Sequence, residues 1–169
     1  MIERSLIRDI LEGYELSPMG THGLPHWGRV LENGLRLAER TGAKEDVVAL
    51  FSVFHDSRLV SETADPGHGR RGAELARELR NKHISLSDED FDLLITACVH
   101  HTDGRTEGDI TVQTCWDADR LDLWRVAIVP KASLLCTSAA KDVTIQEWAR
   151  ARSLSDYVPE FVKEAWLDK

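Results

Sequence analysis

The chain is organised around the stretch VVALFSVFHD, residues 47–56, which is apolar except for Ser52 and its last two residues. Apolar side chains fall on every face of a helix drawn through this stretch, so it predicts a helix that is buried on all sides. Burying an imidazole and a carboxylate at its end is costly unless each is paired or binds a metal ion. His55 and Asp56 therefore need partners from elsewhere in the chain. The candidates are His22, His26, His68, His100, His101, Asp117 and Asp119.

The composition is that of an ordinary globular protein. The 169 residues are 42% hydrophobic and 30% charged, which predicts a single domain. The motifs described below place its core at 22–128 and a helical extension at 129–169. The net charge of -8 argues against binding to a nucleic-acid polymer. Three scattered cysteines favour reduced thiols, and no apolar run is long enough to span a membrane. We therefore expect a cytoplasmic protein with no membrane contact.

Apolar periodicity predicts helices and no strands. Helical patterns cover 2–11, 25–41 and 47–56, and the later ones begin near His68, Ser87 and Ile110. Two further helical patterns follow after Pro130. The patterns are separated by loops of ordinary length. The sequence therefore predicts an all-α fold, a compact bundle of about six to eight helices.

Polar residues lie at the ends of several of these predicted helices. His26 is at the head of the apolar stripe of its helix, so it should point inward. His68 lies near the start of another helix. A second fully apolar helix ends in His100 and His101, which repeats the pattern at His55. Two such helix ends could face each other across one pocket.

Residues 117–122, DADRLD, contain three aspartates in an apolar surround, and helical phase helps to choose among them. Positions 112, 115, 116, 119, 123 and 126 form one helix face, on which Asp119 is the one polar residue, so its carboxylate should point inward. Asp117 shares a face with Leu121, and it could orient a metal-binding residue by a hydrogen bond without binding the metal itself. We assign the same supporting role to His22 and His100.

The order of these residues resembles the HD superfamily of metal-dependent phosphohydrolases, which is named after an adjacent His-Asp pair. Residues 25–30, PHWGRV, look like its first-histidine motif, and 54–56, FHD, like the pair itself. Residues 118–122, ADRLD, look like the closing motif, in which the Asp after Ala binds metal. The resemblance implies a helical HD bundle whose metal ligands are His26, His55, Asp56 and Asp119.

The resemblance also implies a chemistry. Two imidazoles and two carboxylates suit Mn, Ni, Fe, Co or Zn, and Mg would be tolerated. We expect one metal ion rather than two, and an activated water molecule that attacks the phosphorus of a small-molecule phosphate ester or anhydride, most simply a nucleotide. The expected partner is this small-molecule phosphate, and the sequence allows a homodimer.

Substrate contacts are expected from residues beside the motifs. Arg29, Arg120 and Trp27 are candidates, and Arg58 is favoured because it follows the His-Asp pair by two residues. Asp56 and Arg58 would then act in catalysis. Several nucleotide-cleaving members carry a Glu one turn after the pair, where this chain has Leu59. We expect His68 or His101 to act as the general acid or base instead, or to bind a second metal.

Two other functions fit the same residues. Some proteins with this fold are di-iron oxygenases, and a metal- and nucleotide-binding regulatory module without turnover is a third reading. An isolated histidine in a helix is more often structural than functional. The four residues of the resemblance are harder to explain in that way, because four buried polar groups would all need hydrogen-bond partners.

Overall fold

The computed structural model describes residues 2–167. Those residues contain no strand, so the all-α prediction is confirmed. Seven α-helices are joined by loops, with two 3₁₀ turns at Leu123–Val126 and Ala132–Leu134 and a π-helical turn at Val162–Trp166. The α-helices are α1 Arg4–Leu11, α2 Leu24–Thr41, α3 Glu45–Phe54, α4 His68–His83, α5 Asp88–His100, α6 Ile110–Arg120 and α7 Val143–Leu154.

Side chains that accept hydrogen bonds from the first turn fix where three helices begin. Ser87 Oγ accepts from the backbone N–H of Asp90 at 3.1 Å, as the sequence predicts for the start of α5. Asp109 caps α6 and Asp142 caps α7 in the same way. Each of these caps satisfies a backbone N–H that has no partner within its helix.

Helix α3 lies at the centre of the bundle. Helices α2, α4, α5 and α6 all pack against it. Its side chains from Val47 to Phe54 are buried, apart from Ala49, which is only half-buried. The apolar surface of α3 is thus covered by four helices, and the residues that follow its last turn, His55 and Asp56, are enclosed by the same neighbours.

Two glycines of α4 allow this helix to approach its neighbours closely. A Cβ atom at Gly72 would lie 2.1 Å from the carbonyl oxygen of Phe54, and one at Gly69 would lie 2.3 Å from that of Cys98. The glycine-rich sequence from Gly67 to Gly72 therefore has a packing role, because it brings the start of α4 against the ends of α3 and α5.

The later helices differ from the predicted pattern. The apolar pattern continues to Ile128, but α6 ends at Arg120 and a tighter 3₁₀ turn follows. Ala127 then adopts the left-handed conformation with φ of 59°, which ends this turn. In the predicted extension, α7 is a regular helix and the last predicted helix is a π-helical turn that packs on α1. None of the helices in 2–167 combines the length and the apolar character needed to cross a bilayer.

Candidate metal centre

Six histidine and aspartate side chains from five helices meet beside the end of α3. His55 and Asp56 follow α3 directly, and the others come from the start of α2, the start of α4, the end of α5 and the body of α6. All are buried except Asp119, whose side chain is 14% exposed. The set comprises His26, His55, Asp56, His68, His101 and Asp119.

A first group of donors contains the four residues of the resemblance. The Nε2 atoms of His26 and His55 are 3.0 Å apart. Asp119 Oδ1 lies 3.4 Å from the Nε2 of His26 and 3.7 Å from that of His55. Asp56 Oδ2 lies 3.5 Å and 3.7 Å from the same two nitrogens. Two imidazoles and two carboxylate oxygens therefore surround one point.

A second group lies on the other oxygen of Asp56. The Nε2 atoms of His68 and His101 are 2.9 Å apart, and Asp56 Oδ1 is 3.1 Å from the first and 3.5 Å from the second. Asp56 thus directs one carboxylate oxygen into each group. The structure brings both histidines that we expected to act in catalysis into this second set of donors.

The other ring nitrogen of each histidine fixes its tautomer. Nδ1 of His55 donates to the carbonyl oxygen of Phe51 at 3.1 Å, and Nδ1 of His101 donates to that of Cys98 at 2.8 Å. His68 donates to the carbonyl of Asp65, and His26 donates to a carboxylate. These oxygens can only accept. In a neutral ring, the Nε2 atom must therefore carry a lone pair.

Each Nε2 pair consequently requires a cation. Two lone pairs about 3 Å apart repel each other unless a proton or a metal ion lies between them. Two nitrogens bound at about 2.1 Å to one ion at a right angle are separated by about 3 Å. The spacings of 3.0 Å and 2.9 Å fit this requirement. The donor atoms present therefore suit a metal ion in each group.

Electrostatics keep the first group ready to bind a cation. Burial lowers the pKa of His55 to about 4, so its ring is neutral near pH 7. Burial raises the pKa of Asp56, but the surrounding histidines outweigh it and hold the pKa below its ordinary value. The same balance lowers the pKa of Asp119. Neutral imidazoles and ionised carboxylates are the protonation states that metal binding needs.

The carboxylate that orients His26 is one that the sequence did not single out. Asp122 Oδ2 accepts the hydrogen bond from His26 Nδ1 at 2.8 Å. Arg29 holds Asp122 in turn, with bonds of 2.8 Å and 3.0 Å to its two oxygens. Burial raises the pKa of Asp122, but the bonds from His26 and Arg29 lower it to about 2. The presence of Asp122 in the closing motif is the one signal that could have identified it.

The three arginines that we expected to contact a substrate form hydrogen bonds with other groups of the protein. Each of the three guanidinium nitrogens of Arg29 donates one hydrogen bond, two to Asp122 and one to the carbonyl of Tyr157. Arg58 bonds to the carbonyls of Ile10 and Ser57, so the two-residue spacing from Asp56 turns its side chain toward α1. Arg120 bonds to the carbonyls of Leu134 and Arg105. Arg58 and Arg120 thus link separate backbone segments, whereas Arg29 mainly pairs with the carboxylate of Asp122.

Three other candidates also lie outside the cluster. Asp117 accepts hydrogen bonds from the backbone N–H groups of Cys136 and Thr137, and so fixes the chain after Leu135. His100 is half-exposed, and its Nδ1 lies 2.7 Å from Asp103. Trp27 is fully buried and packs edge-on against Tyr14. Asp117 and His100 therefore bond to groups outside the cluster, whereas Asp122 bonds to His26 within it.

A chamber of about 280 Å³ opens onto the cluster. Asp56, His68, His101 and Asp119 form its floor, and His22, Leu59, Glu62 and Arg125 are among its walls. Leu59, which stands where some relatives carry a carboxylate, lines the chamber, and Glu62 from the following loop lines it too. Nδ1 of His22 is buried there and has no hydrogen-bond partner among the described residues.

Comparison of the chain with protein-family models, curated proteins and solved structures gives no match. The structure by itself defines a class. The chain is an all-helical protein with buried His/Asp groups that could bind metal, an arrangement compatible with the HD type.

Proposed function

We propose that this protein is a metal-dependent hydrolase of the HD superfamily type that cleaves a phosphate ester or anhydride of a small molecule. The observation that carries the proposal is the commitment of four histidines at Nδ1, which leaves four Nε2 lone pairs beside the two oxygens of Asp56. This arrangement has no economical explanation without cations. The prediction of a nucleotide substrate rests on the resemblance alone and stays a prediction.

The donor arrangement favours two metal ions, which departs from the single ion expected from the sequence. His26, His55, Asp119 and one oxygen of Asp56 would hold the first ion. His68, His101 and the other oxygen of Asp56 would hold the second. Mixed nitrogen and oxygen donors suit Mn, Fe, Co, Ni or Zn. When bound, the ions supply Lewis acidity, which lowers the pKa of a water molecule and neutralises charge on a phosphoryl group.

The side chains above the cluster would handle the substrate and its protons. Burial lowers the pKa of His22, so its ring is neutral and can donate or accept a hydrogen bond toward a substrate oxygen. Glu62 lies on the wall of the same chamber and can accept a proton from the attacking water. Glu62 therefore takes the place that the missing carboxylate at Leu59 leaves open.

The test is release of inorganic phosphate from a panel of phosphate monoesters, diesters and nucleotides, with Mn, Fe, Co, Ni, Zn or Mg added in turn. We expect hydrolysis that depends on metal and falls at least about 10³-fold in His55→Ala and Asp119→Ala. Val143→Asn is the matched control, because Val143 is 64% exposed on α7. Phosphate release that survives both alanine substitutions would contradict the proposal.

One alternative is favoured by a specific observation. Two histidine-rich groups that share a carboxylate also suit a di-iron centre that activates oxygen. Oxygen uptake by the iron-loaded protein without phosphate release would favour that alternative. Tight nucleotide binding without any product would instead favour the regulatory module.

A further inference from the structure

We infer that the substrate carries a single phosphate group on an apolar aliphatic body. The inference rests on the proposed function. Its starting point is a second cavity, of about 410 Å³, which continues from the chamber above the cluster. His101 and Asp119 line both cavities, as do Thr102, Leu123 and Ile128. A molecule whose phosphate lies at the cluster would therefore extend its body into the second cavity.

The walls of this second cavity are mostly apolar. Ile128 is 51% exposed, Val129 60% and Leu134 41%. Exposed apolar surface concentrated beside a group of polar donors is typical of a small-molecule site. A body that covers these side chains would remove apolar area from water, which favours binding. The apolar wall consists of Leu123, Ile128, Val129, Pro130, Leu134 and Leu135.

The positive charge available in the two cavities does not suit a polyphosphate chain. Arg120 is committed to the carbonyls of Leu134 and Arg105, and Arg125 to those of Thr21 and Asp122. Among the described wall residues this leaves Lys131 as the basic side chain that forms neither a hydrogen bond nor an ion pair. Two divalent ions with Asp56 and Asp119 leave a net charge of about +2, which matches one phosphate dianion.

The walls are equally unsuited to a nucleobase. Proteins commonly hold a base by stacking it on an aromatic ring. In the part of the chain that the structure describes, the second cavity has no Phe, Tyr or Trp in its lining. A wall of aliphatic side chains without aromatic rings favours an aliphatic substrate body, which would bind through burial of its apolar surface.

Alkylphosphonates test this inference, because they resemble phosphate monoesters but are not hydrolysed. We expect the affinity of the manganese-loaded protein, measured calorimetrically, to rise from methylphosphonate to hexylphosphonate by up to about fourfold per methylene. Val129→Asn and Leu134→Asn should each flatten this dependence on chain length, and Val143→Asn should leave it unchanged. Circular dichroism checks that each variant is folded.

Several outcomes would overturn the inference. Equal affinity for all chain lengths would do so, as would tighter binding of a nucleoside triphosphate than of hexylphosphonate. A change from dimer to monomer in Val129→Asn with an unchanged chain-length dependence would show that this surface pairs two copies of the chain.

Metal-dependent hydrolysis without chain-length preference would leave the proposed function intact. Chain-length-dependent binding without hydrolysis of any ester would support the inference and contradict the hydrolase.

Discussion

Asp122 accepts a hydrogen bond of 2.8 Å from Nδ1 of His26, and this bond fixes which nitrogen of His26 faces the cluster. The two residues are 96 positions apart and both are buried. Carboxylates that bond to a metal-binding histidine in this way orient its ring and increase its basicity. If the cluster binds metal, its geometry therefore depends on a residue outside the set of proposed ligands.

Replacing Asp122 should weaken metal binding without removing a ligand. In Asp122→Asn, the amide no longer carries the charge that stabilises the His26 tautomer, so we expect manganese affinity to fall by about 10- to 100-fold. Titration calorimetry on the metal-free protein measures this. Asp88→Asn is the matched control, because that side chain is 94% exposed. Equal affinities in Asp122→Asn and wild type would show that His26 is not a ligand.

The same carboxylate should make folding stability depend on pH. The pKa of Asp122 is about 2 in the folded protein, against an ordinary value of 3.8. The folded state therefore binds fewer protons than the unfolded chain between these values, and the stabilisation of about 2 kcal/mol is present above pH 4 and lost as the pH falls through 2. Urea denaturation of the metal-free proteins should show the difference between wild type and Asp122→Asn shrinking over this range. A constant difference would contradict the assignment.

Arg29 should matter for stability rather than for substrate affinity. Arg29→Lys cannot make both hydrogen bonds to Asp122, so we expect the free energy of unfolding to fall by about 2 kcal/mol. Arg40→Lys is the control, because its ion pair with Asp142 is largely exposed and should change stability by less than about 1 kcal/mol. An Arg29→Lys protein with wild-type stability and a raised KM would restore the original expectation that Arg29 binds substrate.

Gly69 should be sensitive to the smallest substitution. The Cβ atom of Gly69→Ala would lie 2.3 Å from the carbonyl of Cys98 and 2.9 Å from Cε1 of His101. We expect a loss of about 2–3 kcal/mol in unfolding free energy and a displaced His101. Denaturation together with metal content measures both effects. The neighbouring exposed Arg70→Ala should change stability by less than about 0.5 kcal/mol.

Periodicity in the sequence was sufficient for the fold and for part of the site. The apolar pattern identified α3 as the buried central helix, and helical phase favoured Asp119, whose Oδ1 lies 3.4 Å from His26 Nε2. The pattern identified α3 because burial imposes a period on a helix. The metal-binding role of Asp119 stays a prediction. The pattern failed after Arg120, because a 3₁₀ turn and the left-handed Ala127 are set by local backbone geometry rather than by apolar spacing.

Proximity to the motifs in the sequence did not predict which groups the arginine side chains contact. A long side chain two residues from a ligand can turn to either side of the helix end, and Arg58 turns to the backbone of Ile10. Asp122 was missed for the opposite reason, since its partners Arg29 and His26 come from a distant helix that only the tertiary structure brings near. The sharing of Asp56 between two groups also requires three-dimensional distances.

Metal content tests the central claim most directly. Protein loaded with manganese or iron and freed of excess metal should contain about two ions per chain by elemental analysis, one for each group of donors. His68→Ala should reduce this to about one, and His100→Ala, which changes a half-exposed histidine outside the cluster, should leave it at about two. A wild-type protein that holds no metal, or a His68→Ala protein with wild-type metal content, would contradict the two-ion centre.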